Sequence, residues 1–567
     1  MLHALSFFSL CVLAGAYRWP SPQIDYLEKL LYEGRTEDPR IEPLDFIGHN
    51  CGTRLFSPIA AQLIRLAYHD MATHNVDDGT GGLDASIRFE IRRDENIGDG
   101  NAFSLDDFHF YTTPFVSMAD IIALGTVLGV VSCDGPVIPY RGGRIDAISA
   151  GPPGVPQPHE DLASHTESFR RQGFTNEEMI KLVACGHTVG GVQSKDFPTV
   201  VSRTEAVGVF FDKTNVFDSA VVTEYLNGTI ENALVVGRNS STNSDARIFG
   251  SDGNVTMNSI AASEAFSKAC SDLLGRMINT VPKTVQLTEV INPFPIKVGK
   301  ARLSISGDGS LLQLNVTIRL LEANPNRSIK LFYTSRYTGA GSGNPCSSTG
   351  CSADPISSTG ITLSSSMFTA LSLSPVKYTF SVGIDPVTSI SRFWFVIDGH
   401  DVVDNEGTGY EIPQDMALFD AGRSTRTRST DPANRSTSVR IAVRNSSPLP
   451  SRVYIDTYDQ GDAQNSYVPG LASFDLRPDV GLNDTVAGMY RYYVVTIPDP
   501  VVSFDAHVDV DGQTFTEEHC LTGDVAPKIN VYTCCDGSSY HNFIVDIRGA
   551  ERFARQKTMI VYETKAE

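Results

Sequence analysis

The chain changes its hydrophobic period near residue 285. Before that point, apolar residues return at helical spacing in 59–68, 118–131, 177–185 and 262–278. After it they alternate every second residue, as in 302–306, 312–318, 378–382, 439–443 and 504–510. A helix shows one face every 3.6 residues and a strand every two, so each half can build only its own kind of layer. Short strands separated by Gly, Asn, Pro and Ser turns point to antiparallel sandwiches of the immunoglobulin or fibronectin kind. The predicted chain is therefore multidomain: a mainly α domain over 17–285, then an all-β region over 290–567. That β region is longer than one sandwich requires, and the polar stretch 421–438 is the expected place for a split.

Composition narrows the setting. Of 567 residues, 41% are hydrophobic and 20% charged, enough to bury cores. Lys+Arg minus Asp+Glu is 46 − 66 = −20, so counterion release on nucleic acid lacks its driving charge, and anionic membrane surfaces are unfavourable too. Residues 2–16 are apolar and end in Ala14-Gly15-Ala16, which reads as a signal peptide over 1–16 and a secreted mature protein. Segment 115–133 is also nearly apolar but contains Asp120, and is expected to be a buried helix rather than a membrane span. Sequons at Asn227, Asn239, Asn254, Asn315, Asn326, Asn434, Asn445 and Asn483 agree with secretion and glycosylation. Without Cys11 of the leader, an odd number of cysteines remains. Cys346 and Cys351 are expected to staple a loop, Cys520 to pair with Cys534 or Cys535, and Cys185 to be a packed thiol or a disulfide partner. His74, His109, His159 and His165 read as surface or loop histidines, and Asp398-Gly-His-Asp401 as a turn.

The chemistry concentrates in two places. Arg65 and His69 lie four apart, so on a helix they project from one face. An imidazole that takes and returns a proton, beside a permanent cation that stabilises developing negative charge, is equipment for splitting an O–O bond. Asp70 follows, then the Gly-rich run Asp77-Asp-Gly-Thr-Gly-Gly82, Asp84-Ala-Ser86 and Glu90, a set of hard oxygen donors suited to Ca²⁺. Asn96 is placed to accept a hydrogen bond from one nitrogen of His69 and fix its tautomer. The second place begins at Thr175-Asn-Glu-Glu178, a capping-box start for a helix that ends at Gly186-His187-Thr188. His187 is a candidate metal ligand, with Asp245 as acceptor for its other N–H. Thr188, Asp212, Thr214 and Asp218 form a further oxygen-rich set.

These motifs, with Met118-Ala-Asp-Ile-Ile-Ala-Leu, Gly143-Arg-Ile-Asp, Asn96-Ile-Gly and Phe211-Asp, stand in an order that resembles the haem peroxidases of the plant, fungal and bacterial superfamily, closest to the secreted fungal, ligninase-like enzymes. The resemblance covers about half the chain, roughly 20–280. It implies one haem b per chain, with His69 as distal acid/base, Arg65 as distal cation, Asn96 as partner of His69, and Tyr68 as the distal aromatic. It makes His187 the iron ligand, Asp245 its acceptor and Phe211 the proximal ring. It also implies two Ca²⁺ ions. The distal one would take Asp70, Asp84 and Ser86, with Glu90 through water; the proximal one would take Thr188, Asp212, Thr214, the Val216 carbonyl and Asp218. A Cys51–Cys133 disulfide is implied as well.

The function so implied is a secreted peroxidase that reduces hydrogen peroxide and oxidises small phenolic donors in one-electron steps through an oxo-ferryl intermediate. Its alternative is a cell-wall or polysaccharide-binding protein with an idle haem- and calcium-containing domain. Departures from the family pattern shape the expectation. Tyr68 stands where Phe or Trp is usual, and the Asp212-to-Asp218 spacing is one residue short. Ser57, Ala61 and Gln193 occupy the places where a manganese site needs carboxylates, so no such site is expected. Leu182 replaces the surface Trp of the lignin peroxidases, which leaves small donors at the haem edge.

Overall fold

The computed structural model describes residues 21–526, apart from 37, 39–40, 42–43, 45–50, 55–56, 205, 325, 338–345, 347–349, 361–365, 428–433, 483–487 and 500. The leader, the sequon Asn483 and the predicted pairing of Cys520 with Cys534 or Cys535 lie outside the described residues.

The centre of the helical half is the helix Met118–Ser132, buried along its length. Ser117 caps it by accepting from Asp120 N. Asp120, the one charge in this apolar stretch, is buried beside Arg144, with Nη1 to Oδ1 at 3.0 Å, and also accepts from the backbone N–H of Gly143 and Arg144. Ion pairing with further hydrogen bonds is what lets a carboxylate sit in such a place. Gly125 lets Phe108 close onto this helix, since a Cβ there would come within 2.1 Å of the ring. The helix Ile59–Met71 packs across it, and Cys51–Cys133 ties the two together, as the resemblance implied. The helix Asn176–Gly186 starts at the predicted capping box: Glu178 N donates to Thr175 Oγ1, and Thr175 N donates to Glu178 Oε2. Cys185 at its end bridges to Cys270 of the helix Ser263–Ile278. Among the described residues, no helix is long and apolar enough to cross a membrane.

Among the described residues, the β region folds as two pairs of antiparallel sheets. In the first pair, one sheet runs Ile296–Ile305, Leu312–Leu320, Val376–Ile384, Ser357–Gly360. The facing sheet runs Asp401–Val403, Arg392–Ile397, Ile329–Thr334, Cys351–Ala353, with Tyr410–Glu411 also on Arg392–Ile397. Alternate residues such as Leu314, Val316, Phe380 and Phe395 fill the core between them. The Cys346–Cys351 staple is present. In the second pair, Ala417–Phe419, Ser436–Arg444, Tyr490–Pro498 and Arg477–Pro478 face Gly470–Asp475, Arg452–Asp459, Ser503–Val510 and Gln513–Leu521.

One boundary needs correcting. The stretch 421–438 does not separate the sandwiches, because Thr425–Thr427 pairs with Ser436–Arg444 in the same sheet as Ala417–Phe419. The change of sandwich falls between Glu411 and Ala417. Polar composition marked an edge strand, Thr425–Thr427, instead of a linker.

The halves are joined by buried charge. Arg319, on the strand Leu312–Leu320, pairs with Glu28 and with Glu33 (2.9 Å), both on the first helix, Pro22–Glu33. Lys297 reaches Glu28 at 3.0 Å and Asp25 at 3.3 Å. Burial alone would raise the Glu28 carboxyl, but Lys297 and Arg319 bring it below its ordinary value.

Candidate active site between two histidines

The helices Ile59–Met71 and Asn176–Gly186 approach each other around a cavity of about 290 Å³ that both His69 and His187 line. Its walls are mostly apolar, with Ile64, Phe169, Leu182, Val192, Leu274 and Met277 among them. Gly190, at φ 95°, lets the segment after His187 run against the opposite helix; a Cβ there would lie 2.6 Å from that of Ala61.

On one side, His69 is buried in the last turn of its helix, with Nδ1 2.7 Å from Asn96 Oδ1. An amide oxygen can only accept, so Nδ1 carries the proton and Nε2 is left as the base. Asn96 is itself held, donating from Nδ2 to Glu90 O at 3.0 Å. Burial and the neighbouring Arg65 push the His69 imidazole down to about 3, so the ring is neutral across physiological pH. One turn earlier, Arg65 donates to Ile97 O at 2.8 Å, lies over Phe197 and lines the same cavity. Burial lowers it to about 10, which still leaves it a cation at neutral pH. Tyr68 also lines the cavity; its hydroxyl donates to Gln172 Oε1 at 3.2 Å and its ring stacks on Phe169.

On the other side, His187 Nδ1 is 2.8 Å from Asp245 Oδ2, which also accepts from Asn232 Nδ2 at 2.8 Å. Phe211 stacks on the His187 ring at 4.3 Å and 15°. Asn232 is a part of this support that sequence reading missed. It lies 13 residues before Asp245, with no motif to mark it.

The expected cation sites divide. At the distal one, Asp70 accepts from Ala85 N (2.7 Å) and Ile87 N (2.8 Å), Asp84 accepts from Ser86 N, and Ser86 Oγ is buried without a hydrogen-bond partner. Burial raises both Asp70 and Asp84, and Asp84 raises Asp70 further. Two buried carboxylates beside an orphaned hydroxyl fit a hard cation. Glu90, buried beside this set, accepts from Gly151 N at Oε1 (2.6 Å) and pairs with Arg93 at Oε2 (3.2 Å).

At the proximal site, Thr188 Oγ1 donates to Asp218 O at 2.5 Å, and Thr214 donates to Asp212 Oδ1 from both N and Oγ1. Asp212 Oδ2 is buried without a partner, as is Oε2 of Glu224, which the motif reading did not single out. Burial pushes Asp212 up to about 7, with Asp218 and Glu224 adding to the rise. Val216 lies between Thr214 and Asp218 in the chain. Among the described residues, no group of three or more His, Cys, Asp or Glu side chains converges to hold a metal, so either cation would depend on hydroxyls and carbonyls for the rest of its shell.

Two histidine readings change. His165, expected at the surface, is buried on the helix Leu162–Arg171 and lines the main cavity, its Nε2 bonded to Gln157 O. His109 is buried beside Phe110. Both lie on amphipathic turns whose inward face a lone sequence does not reveal. His400 is in the predicted surface turn.

The helical domain that holds these two imidazoles across one cavity, one against an amide and one against a carboxylate, is similar to peroxidases. In particular, residues 53–265 match the peroxidase family model, and the chain carries a peroxidase domain of the plant, fungal and bacterial superfamily, followed by the β region. A WSC domain-containing protein of Arthroderma benhamiae is 37% identical over 352 residues, covering 59% of this chain and 48% of that protein. Putative L-ascorbate peroxidase 6 of Arabidopsis thaliana is 37% identical over 25% of this chain and 44% of its own length. A mitochondrial cytochrome c peroxidase of Cryptococcus neoformans is 32% identical over 26% of this chain and 40% of its own. The chain thus spans about half the length of the curated relatives it matches. Two of these three relatives carry peroxidase names, an ascorbate peroxidase and a cytochrome c peroxidase.

Proposed function

We propose that the protein is a haem peroxidase that reduces hydrogen peroxide and oxidises small phenol-type donors. The observation that carries this reading is the pair of histidines on one cavity, each with Nδ1 already occupied, so that the two Nε2 atoms remain for chemistry. Apolar walls and a carboxylate-backed imidazole fit a haem, with His187 as ligand, Asp245 and Asn232 orienting it, and Phe211 against its ring. Bound there, haem b would supply an iron that binds peroxide and exchanges electrons with donors.

The protein's own residues supply the rest. His69 Nε2 takes a proton from one oxygen of hydrogen peroxide and returns it to the other, which leaves as water. Asn96 keeps Nδ1 protonated, so that only Nε2 acts as base. Arg65, one turn away, stabilises the negative charge that separates as the O–O bond lengthens. The low proton affinity of His69 keeps it ready as a base and makes its conjugate acid quick to give the proton up. Ca²⁺ at the Asp70, Asp84 and Ser86 set would hold the distal loop, and the Thr188 to Asp218 set would do the same on the proximal side. For the β region, glycan or cell-wall contact is the proposed role, supported by the similarity to a WSC domain-containing protein; secretion follows from the leader and sequons.

The test is titration of the full chain with haem. Uptake of one equivalent with a Soret band, followed by peroxide-dependent oxidation of a neutral phenol, is expected. A loaded protein that consumes no peroxide removes the catalytic reading, and leaves the idle haem domain with a glycan-binding β region.

A further inference from the structure

Among the described residues, none that lines the main cavity comes from the β region. Yet the second sandwich reaches the helical domain through the loop that follows the strand Arg452–Asp459. Gln460 Nε2 donates to Phe110 O at 2.7 Å and Thr112 O at 3.1 Å. The ring of Tyr467 lies 5.4 Å from that of His109, and the residue is buried in the core of the helical domain. Its carbonyl accepts from Arg88 Nη1 at 3.2 Å.

Arg88 is buried at the middle of the short turn Ser86–Phe89. Its guanidinium also donates to Ala147 O (2.7 Å) and pairs with Asp146 (3.3 Å), whose carboxylate accepts from Met118 N and Ala119 N at the head of the central helix. A buried guanidinium needs acceptors for its fork, and Tyr467 O is one of the three it has here. The far side of the same turn is held by the distal helix. Asp70 accepts from Ala85 N and Ile87 N, and Glu90 O accepts from Asn96 Nδ2, whose Oδ1 bonds His69 Nδ1. An unbroken set of contacts thus runs from Tyr467 O through Arg88, the 86–90 turn and Asn96 to the imidazole.

We infer that the 460–467 loop of the second sandwich is a positioning element for His69: by seating Arg88 it holds the 86–90 turn where the Glu90 carbonyl orients Asn96. This rests on His69 as the proton carrier proposed above. It gives the β region a part in the chemistry without a residue in the cavity. Gln460, Tyr467 and Arg88 are positioning residues, since none of them lines the cavity.

The test uses the full haem-loaded chain carrying Gln460→Ala with Tyr467→Ala, with Arg88→Lys as a second variant and Tyr467→Phe as the conservative control. Amide hydrogen exchange is read in 84–97 and, for reference, in 176–190. In the double variant, exchange in 84–97 is expected to rise roughly tenfold while 176–190 stays as in the parent. The rate of reaction with peroxide should fall several-fold with the donor KM unchanged. Arg88→Lys should show the same pattern more weakly, and Tyr467→Phe, which keeps both ring and carbonyl, should behave as the parent. Exchange that rises only in 109–113 and 458–468, with 84–97 unchanged, overturns the inference and makes the loop an adhesive contact. Raised exchange in 84–97 of a protein that has no peroxide reaction at all upholds the coupling and faults the reading of His69 instead.

Discussion

The two sides of the cavity use the same side chain for opposite ends. His69 gives its Nδ1 proton to a neutral amide, Asn96, and is pressed down to about 3 by burial and Arg65. His187 gives its Nδ1 proton to a buried carboxylate, Asp245, which an amide from Asn232 holds in turn. An amide acceptor fixes a tautomer without adding charge, so the distal ring stays a weak, fast base. A carboxylate acceptor lends anionic character and makes the proximal ring a stronger donor to a metal. In the proposed function, what separates acid/base from ligand is the atom behind the ring, and that atom can be exchanged.

The largest effect is expected from His187→Ala. Without the ligand, haem should be lost from the full chain on gel filtration, seen as disappearance of Soret absorbance from the protein peak; a variant that keeps its haem would place the ligand elsewhere. His69→Ala should retain haem but slow the reaction with peroxide by about 10²- to 10⁴-fold, measured by stopped flow, the usual share of a general acid/base. An unchanged rate would show that the two sides do not differ in role. Asp245→Asn comes next. It keeps the shape and removes the charge, so haem affinity or activity should fall by about 10- to 100-fold, checked by competitive haem transfer.

The smallest and most diagnostic change is Asn96→Asp, which gives the distal ring the proximal ring's kind of partner. A carboxylate favours the imidazolium, so the His69 pKa must rise, by about 1–3 units for a carboxylate in contact. The base form is lost below that pKa, so the acid limb of the peroxide rate, near pH 3 in the parent, should move to higher pH. A limb that stays in place would show that the amide does not set the proton affinity.

A good part of this was legible before the fold. Arg65 and His69 share a face because four residues make about one helical turn. The capping box at Thr175 and Glu178 is a local pattern, and it formed as read. The period change near 285 separated helix from sandwich because a side chain's direction depends only on its own backbone. Other features were not legible. The pattern leaves Cys185 as a packed thiol or a disulfide partner, and the packing of two helices makes Cys270 that partner. His165 and the stretch 421–438 were misread because polarity reports average exposure, and each of these sits on an element whose inward side is chosen by its neighbours.

Local pattern fixes most of the elements, the place of the two histidines on them and, through ordered motifs, Asn96 and Asp245 as their partners. Packing settles that Arg319 pairs with Glu28 and Glu33 across nearly three hundred residues, that Asn232 braces Asp245, and that Tyr467 O of the second sandwich accepts from Arg88. The reason is physical. Local spacing fixes the direction of a side chain, whereas the partner of a buried charge or amide is chosen by the cost of leaving it unpaired once packing has removed the water.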